Sequence, residues 1–222
     1  MSIEGLIAAI PESTLRCPPP TVSNPAIYAI IPPMTKTPSP QTILAQTRCW
    51  VERAVVALNL CPFAKKPVDG EQVRYVVSEA RDEATLLAEL QAELDQLRAT
   101  DPSAVETTVL IHPWVLNDFY DYNDFLGVVD AFLQQEGYAG EFQVASLHPH
   151  YQFAGTEPGD AENYTNRSPY PILHLLREEL LERAILSYAR PDKIPERNIR
   201  TMESLGAEKM RALLDECMKV EG

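Results

Sequence analysis

Apolar and polar positions along this chain follow two rhythms, and the switches between them mark out its elements. Residues 42–58 carry Ile43, Trp50, Ala54 and Leu58 at helical spacing. The string Asn59-Leu60-Cys61-Pro62-Phe63 breaks that pattern, because a proline disfavours helix at the residue before it. Residues 73–78 are short and β-rich, predicting a strand. Asp82 is placed to cap a helix whose Leu86, Leu87, Leu90, Leu94 and Leu97 line one face. A second strand is expected at 107–112. A helix follows it, with Asn117 or Asn123 as cap and Phe125, Val128, Val129, Phe132 and Leu133 as its apolar stripe. Gly137 ends that helix in a left-handed cap. Residues 142–147 form the third strand.

A polar loop over 148–167 comes next. Ser168-Pro169 reads as a cap followed by proline in the first helical turn, predicting a helix from there to about residue 188. A last amphipathic helix is expected near 204–219. Strands separated by helices of a dozen residues imply crossover connections. The expected fold class is therefore α/β: a small sheet of at least three mainly parallel strands packed by helices. A proline-rich arm precedes it over residues 1–40, with Pro18, Pro19 and Pro20 in succession and a β-like piece at 26–31 that can add an edge strand. Residues 41–222 are expected to form one α/β domain.

Composition narrows the function classes. The chain has 222 residues, with 32 acidic against 19 basic side chains and a formal charge of -13. Such a chain repels a phosphate backbone, so no nucleic-acid partner is expected. No apolar run approaches the roughly 20 residues a bilayer span needs, so no membrane partner is expected either. The short apolar run at 5–10 follows Glu4 rather than a basic leader and does not read as a signal peptide. Cys17, Cys49, Cys61 and Cys217 are scattered, as expected of free thiols in a cytoplasmic protein.

Ligands of open parallel sheets sit beyond the carboxyl ends of the strands. On the parallel reading, His112 ends strand two, His148 ends strand three, His150 follows, and His174 opens the next helix, so all four histidines gather at one sheet edge. His148, His150 and His174 are candidate general acids or bases. Cys61 is a candidate nucleophile if a neighbour lowers its pKa, and otherwise a buried structural cysteine. The donors Asn163, Thr165, Asn166, Arg167 and Ser168 lead into the predicted helix N-terminus. Arg177 and Glu178 share a helix face with His174, so Arg167 and Arg177 are candidates for clamping a carboxylate or phosphate.

Trp50, Leu58-Asn59-Leu60-Cys61-Pro62-Phe63-Ala64, His148-Pro149-His150-Tyr151-Gln152-Phe153, the Asn163 to Pro171 string and His174-Leu175-Leu176-Arg177-Glu178 together resemble a bacterial family catalogued as domain of unknown function 1415. The resemblance covers roughly residues 41–210 and implies a cytoplasmic bacterial protein, without an activity, cofactor or catalytic residue. Three functions remain in competition. The first is a small-molecule enzyme acting on an anionic, phosphate- or carboxylate-bearing substrate with histidine acid–base chemistry. The second is a zinc or iron site built from His148, His150 and His174 with His112, Asp160 or Glu178. The third is a non-enzymatic binding module. Cofactor and oligomeric state stay open.

Overall fold

A computed structural model describes residues 38–222. Residues 1–37 of the proline-rich arm, with its β-like piece, lie outside the described residues; the last of the arm's prolines, Pro40, already opens a helix. Helix α1 spans Pro40–Trp50, capped by Ser39, whose Oγ accepts from the Thr42 N–H at 3.1 Å. It continues as a π-helical stretch over Val51–Val56. A short helix α2 (Lys65–Asp69) leads to strand β1 (Val73–Val77). Then come α3 (Glu83–Ala99), β2 (Thr107–Ile111), α4 (Phe119–Gln135) and β3 (Phe142–Leu147). Asp82 caps α3 as expected. The cap of α4 is Asp118, whose carboxylate accepts from the Tyr120 N–H at 2.8 Å. That position is one residue beyond Asn117, because it places Phe119 and Tyr122 against the core. Gly137, at φ 71°, takes the left-handed conformation after α4 that its lack of a Cβ allows.

The segment after the polar loop departs from expectation. Residues 172–177 are not the start of a helix but a fourth strand, β4 (Ile172–Arg177); helix begins only at α5 (Glu178–Ser187). Pro169 and Pro171 impose extended backbone on the residues before them. The run after them is apolar on both faces, as in a strand buried between two layers. Sheet order is β1-β2-β4-β3. The β1–β2 pair is parallel, and β4 runs antiparallel to both β2 and β3. The "mainly parallel" expectation is corrected accordingly. β1, β2 and β3 do point the same way, but β4 occupies the slot between the last two.

Alternation along β4 builds two cores. Leu173 and Leu175 face α3 and α4, joining Leu86, Leu90, Leu94, Leu110, Tyr122, Phe125 and Phe142. Each such side chain, buried fully, contributes about 1.5–3 kcal/mol. Ile172 faces the opposite layer with Ile43, Trp50, Ala54, Val109, Ile111 and Cys217. Beyond α5, helix α6 (Ile194–Leu205) and helix α7 (Ala207–Cys217) meet at Gly206, φ 80°; α7 matches the helix expected near 204–219, and α6 has no counterpart among the expected elements. None of the helices among the described residues is long and apolar enough to cross a membrane.

Arg177, at the end of β4, ties the sheet to α3. Its Nη2 donates to the carbonyls of Leu97 and Thr100, and its Nε donates to Val105 O at 3.4 Å. These carbonyls lie at the C-terminus of α3 and in the turn after it, where Leu97 O also accepts the Thr100 N–H at 3.2 Å. Replacing Arg177 with Met should therefore lower stability by about 2–3 kcal/mol, the scale of charge-assisted hydrogen bonds lost from partly buried acceptors. A urea-unfolding midpoint checks this. A change below about 0.5 kcal/mol, the range of ordinary surface substitutions, would mean the guanidinium is not a cap.

Candidate functional site

The carboxyl ends of β2 and β3 carry His112, His148 and His150. The turn after β2 places Leu116 in the left-handed region, at φ 57°. Two carbonyls of this turn meet imidazoles: Val115 O lies 3.1 Å from His112 Nδ1, and Leu116 O lies 3.1 Å from His148 Nε2. His148 Nδ1 accepts the backbone N–H of His150 at 3.0 Å. The hydrogen bonds thus assign His148 the neutral tautomer with its proton on Nε2, and occupy both of its nitrogens. Desolvation pushes its pKa down to about 3 and that of His112 down to about 4. His150, exposed at the surface, is also lowered, first by desolvation and then by the Arg167 charge. Tyr122 packs between the two inner imidazoles, at ring distances of 5.0 Å to His148 and 5.7 Å to His112. Its hydroxyl donates to Ile172 O at 2.7 Å and accepts from Leu147 N at 3.0 Å, stitching β3 to β4. His112 Nε2 is buried without a hydrogen-bond partner.

The polar loop is tied to itself. Asn163 is buried; its Oδ1 accepts from Phe153 N and Thr156 Oγ1, and its Nδ2 donates to Glu157 O. Asn166 Nδ2 donates to Ser146 O at 3.3 Å, and Ser168 Oγ donates to Tyr170 O at 2.6 Å. Arg167 donates from Nε to Tyr151 O and from Nη2 to Pro158 O, with its guanidinium 4.7 Å from the Tyr164 ring centroid. Ladder-like bonds from His148 N to Asn166 O and from Ser168 N to His148 O extend the β3–β4 pairing into the loop. Arg167 and Arg177 are not brought together. They lie at opposite edges of the sheet, separated by the length of β4, about 17 Å at strand rise. Glu178, half-buried, opens α5, and its N–H donates to Glu141 O at that far edge.

His174 leaves the histidine edge altogether. It sits in the middle of β4, between Val109 and Ala145, on the face away from α3 and α4. There the sheet borders a cavity of about 1460 Å³, whose lining also extends to Asn123, Asp124 and Gly127 of α4. Trp50 and Val55 of the α1 segment, Tyr75 and Val109 of the sheet, and Leu181 and Ile185 of α5 contribute to its apolar lining. Helix α5 has no fully buried residue, because its apolar face borders this cavity rather than a filled core. Thr107 Oγ1 donates to Leu175 O at 2.5 Å and lies 2.8 Å from His174 Nε2. The hydroxyl has one proton to give, so it accepts from Nε2–H. Nδ1 is left as an acceptor with no partner among the described residues. Burial pushes the His174 pKa down to about 4, and the remaining solvent access of this half-buried side chain is from the cavity it lines.

Cys61 and Thr165 line the same cavity. The turn at 59–61 is held by α6: Arg197 Nη2 donates to Asn59 O at 2.6 Å, and Asn198 Nδ2 donates to Leu60 O at 2.8 Å. Asn59, at φ 55°, is a residue that tolerates the left-handed region. Burial raises the Cys61 thiol pKa, against smaller lowering effects from the Phe63 and Ala64 N–H groups and the Arg197 charge. Charged residues in the lining are Glu106, Asp124, Asp130, Glu162 and Arg177. Among the described residues no three His, Cys, Asp or Glu side chains cluster as metal ligands. Thr107, Tyr75 and Val109 were not singled out from the sequence. The signal for them is the two-residue alternation of β1 and β2, legible only once β4 is seen to place His174 on the same face.

Residues 42–212 match the family described as protein of unknown function, DUF1415, and the chain belongs to it. No curated protein and no solved structure matches the chain.

The buried histidines set a pH dependence of stability. His112, His148 and His174 have folded pKa values of about 4, 3 and 4, below the ordinary value near 6.5. Between those limits the unfolded chain binds more protons than the folded one, so stability falls as pH falls from about 6.5 to 4, by up to about 1.4 kcal/mol per pH unit for each histidine. Urea unfolding at stepped pH should show this decline, and it should be shallower in His174→Gln. Identical slopes in the two proteins would show that His174 is solvated.

Proposed function

We propose that this protein binds a neutral, mostly apolar small molecule in the cavity between the sheet and helices α5 and α6, with His174 Nδ1 accepting a hydrogen bond from it. The single observation that carries this reading is an unpartnered imidazole acceptor in the wall of a large apolar space. Ordinary small-molecule pockets occupy roughly 300–1,000 Å³, so this cavity, about 1460 Å³ with its extension to α4, has room for a small molecule beside His174.

Proton affinities favour binding over catalysis. A thiol held protonated by burial and an imidazole with a pKa of about 4 make a poor nucleophile–base pair at neutral pH. Cys61 and His174 therefore serve as polar points in an apolar wall. The anionic-substrate reading draws little support from the arginines, because the donors of Arg167 and Arg177 described above all serve backbone carbonyls. Four acidic side chains in the lining also oppose an anion. His148 acts in this reading as a neutral fastener between the turn after β2 and the backbone N–H of His150.

The neutral fluorophore N-phenylnaphthylamine tests the cavity directly. It should bind the wild-type protein saturably, at one site, and slow carbamidomethylation of Cys61 by iodoacetamide. Ala145→Phe places a ring beside His174, on the cavity side of the sheet. This variant should bind at least about tenfold more weakly, the effect of losing some 1.4 kcal/mol, while keeping the wild-type circular dichroism. Equal binding by the two folded proteins, with no protection of Cys61, would overturn the proposal.

A further inference from the structure

The C-terminus of the chain is fastened to α1 by an unusual contact. Cys217, the last residue of α7, is buried, and its Sγ lies 2.7 Å from Sγ of the half-buried Cys49 on α1. That is shorter than the roughly 3.5–4.0 Å of an ordinary non-bonded contact and within an ångström of the about 2.05 Å of a disulfide bond. The surroundings hold the two helices in register before any bond forms. Gln46, one turn before Cys49, donates from Nε2 to Met218 O at 2.7 Å and to Val220 O at 3.2 Å, and its Oε1 accepts from the Tyr170 hydroxyl. Arg53, one turn after Cys49, pairs with Glu216 at 2.6 Å. Its positive charge lies close to both sulfurs, but burial and the neighbouring Cys49 still push the Cys217 thiol up to about 12.

We propose that Cys49 and Cys217 are a disulfide-forming pair that takes a low-molecular-weight disulfide as its oxidant and thereby clamps α7 onto α1. Cys49 is the more exposed of the two and reacts first. Its thiolate attacks one sulfur of the oxidant, the oxidant's S–S bond breaks, and one small thiol leaves with a proton. Cys217 is held protonated by burial, so it gives up its proton only as it attacks Sγ of Cys49, 2.7 Å away; the mixed disulfide breaks and the second small thiol leaves with that proton. The protein loses two hydrogens, and the oxidant is reduced to two thiols. Trp50 and Val51 follow Cys49 directly and line the cavity, so the bond also fixes that wall.

Reduced full-length protein is exposed to oxidised glutathione, its remaining thiols are alkylated, and it is digested without reduction. A peptide linking Cys49 to Cys217 should appear in monomeric protein. Thermal unfolding should shift upward by on the order of 10 °C, since the bond closes the long stretch from Cys49 to Cys217 into a loop, and dithiothreitol should reverse the shift. The Cys217→Ser variant should instead accumulate glutathione on Cys49. Recovery of Cys49 and Cys217 both alkylated overturns the proposal. So do links to Cys17, Cys61 or a second chain, and so does a glutathione adduct as persistent on wild-type Cys49 as in Cys217→Ser.

Discussion

The slot between β2 and β3 is the constraint on which the rest of the structure depends. These strands point the same way but are not neighbours, and each would be left with unpaired backbone groups if nothing lay between them. β4 fills the slot by running antiparallel to both. The chain must therefore leave β3, travel over the end of the sheet and return, which makes residues 148–171 the connection of one long-looped hairpin. Because β4 is covered on both faces, its side chains must alternate into two different environments. Leu173 and Leu175 enter the closed core under α3 and α4, and His174 is carried to the open side.

The polar residues of the loop make sense against that requirement. A connection of this length buries backbone groups that need partners, and Asn163, Asn166, Arg167 and Ser168 supply them. His148 and His112 do the same for the turn after β2, as neutral donors to carbonyls. Burying a neutral imidazole costs much less than burying its charged form, and the lowered proton affinities of these rings follow from that choice. Density of donors in a loop marks either a ligand site or a loop that must satisfy itself, and the hydrogen bonds here support the second reading for most of these residues.

Much of this was legible in the sequence, because the α3 leucine stripe, the Asp82 cap, the Gly137 stop and the first three strands are set by local pattern. The fourth strand was not. Ile172-Leu173-His174-Leu175-Leu176-Arg177 is apolar without a single period, and the Ser-Pro pair before it imitates a helix start. Its strand state comes from the neighbours waiting on either side, which no local window contains. The same misreading scattered the candidate site. It put His174, Arg177 and Glu178 on one helix face, whereas in the strand His174 faces the cavity and Arg177 lies at the far edge, where it caps α3. Cys61 stands out in the sequence by its place in a proline turn, and the cavity gives that place a physical setting. Cys49 and Cys217 carried no signal at all, since their proximity depends on two helices from opposite ends of the domain.

The position of His174 joins the strand, the cavity and the proposed ligand contact, and nitrogen-15 NMR of its ring tests all three together. The structure requires the neutral tautomer with the proton on Nε2, persisting as pH is lowered until the group titrates near about 4. A ring that titrates near the ordinary value of about 6.5, or one protonated on Nδ1, would mean that His174 does not sit in the wall between Val109 and Ala145.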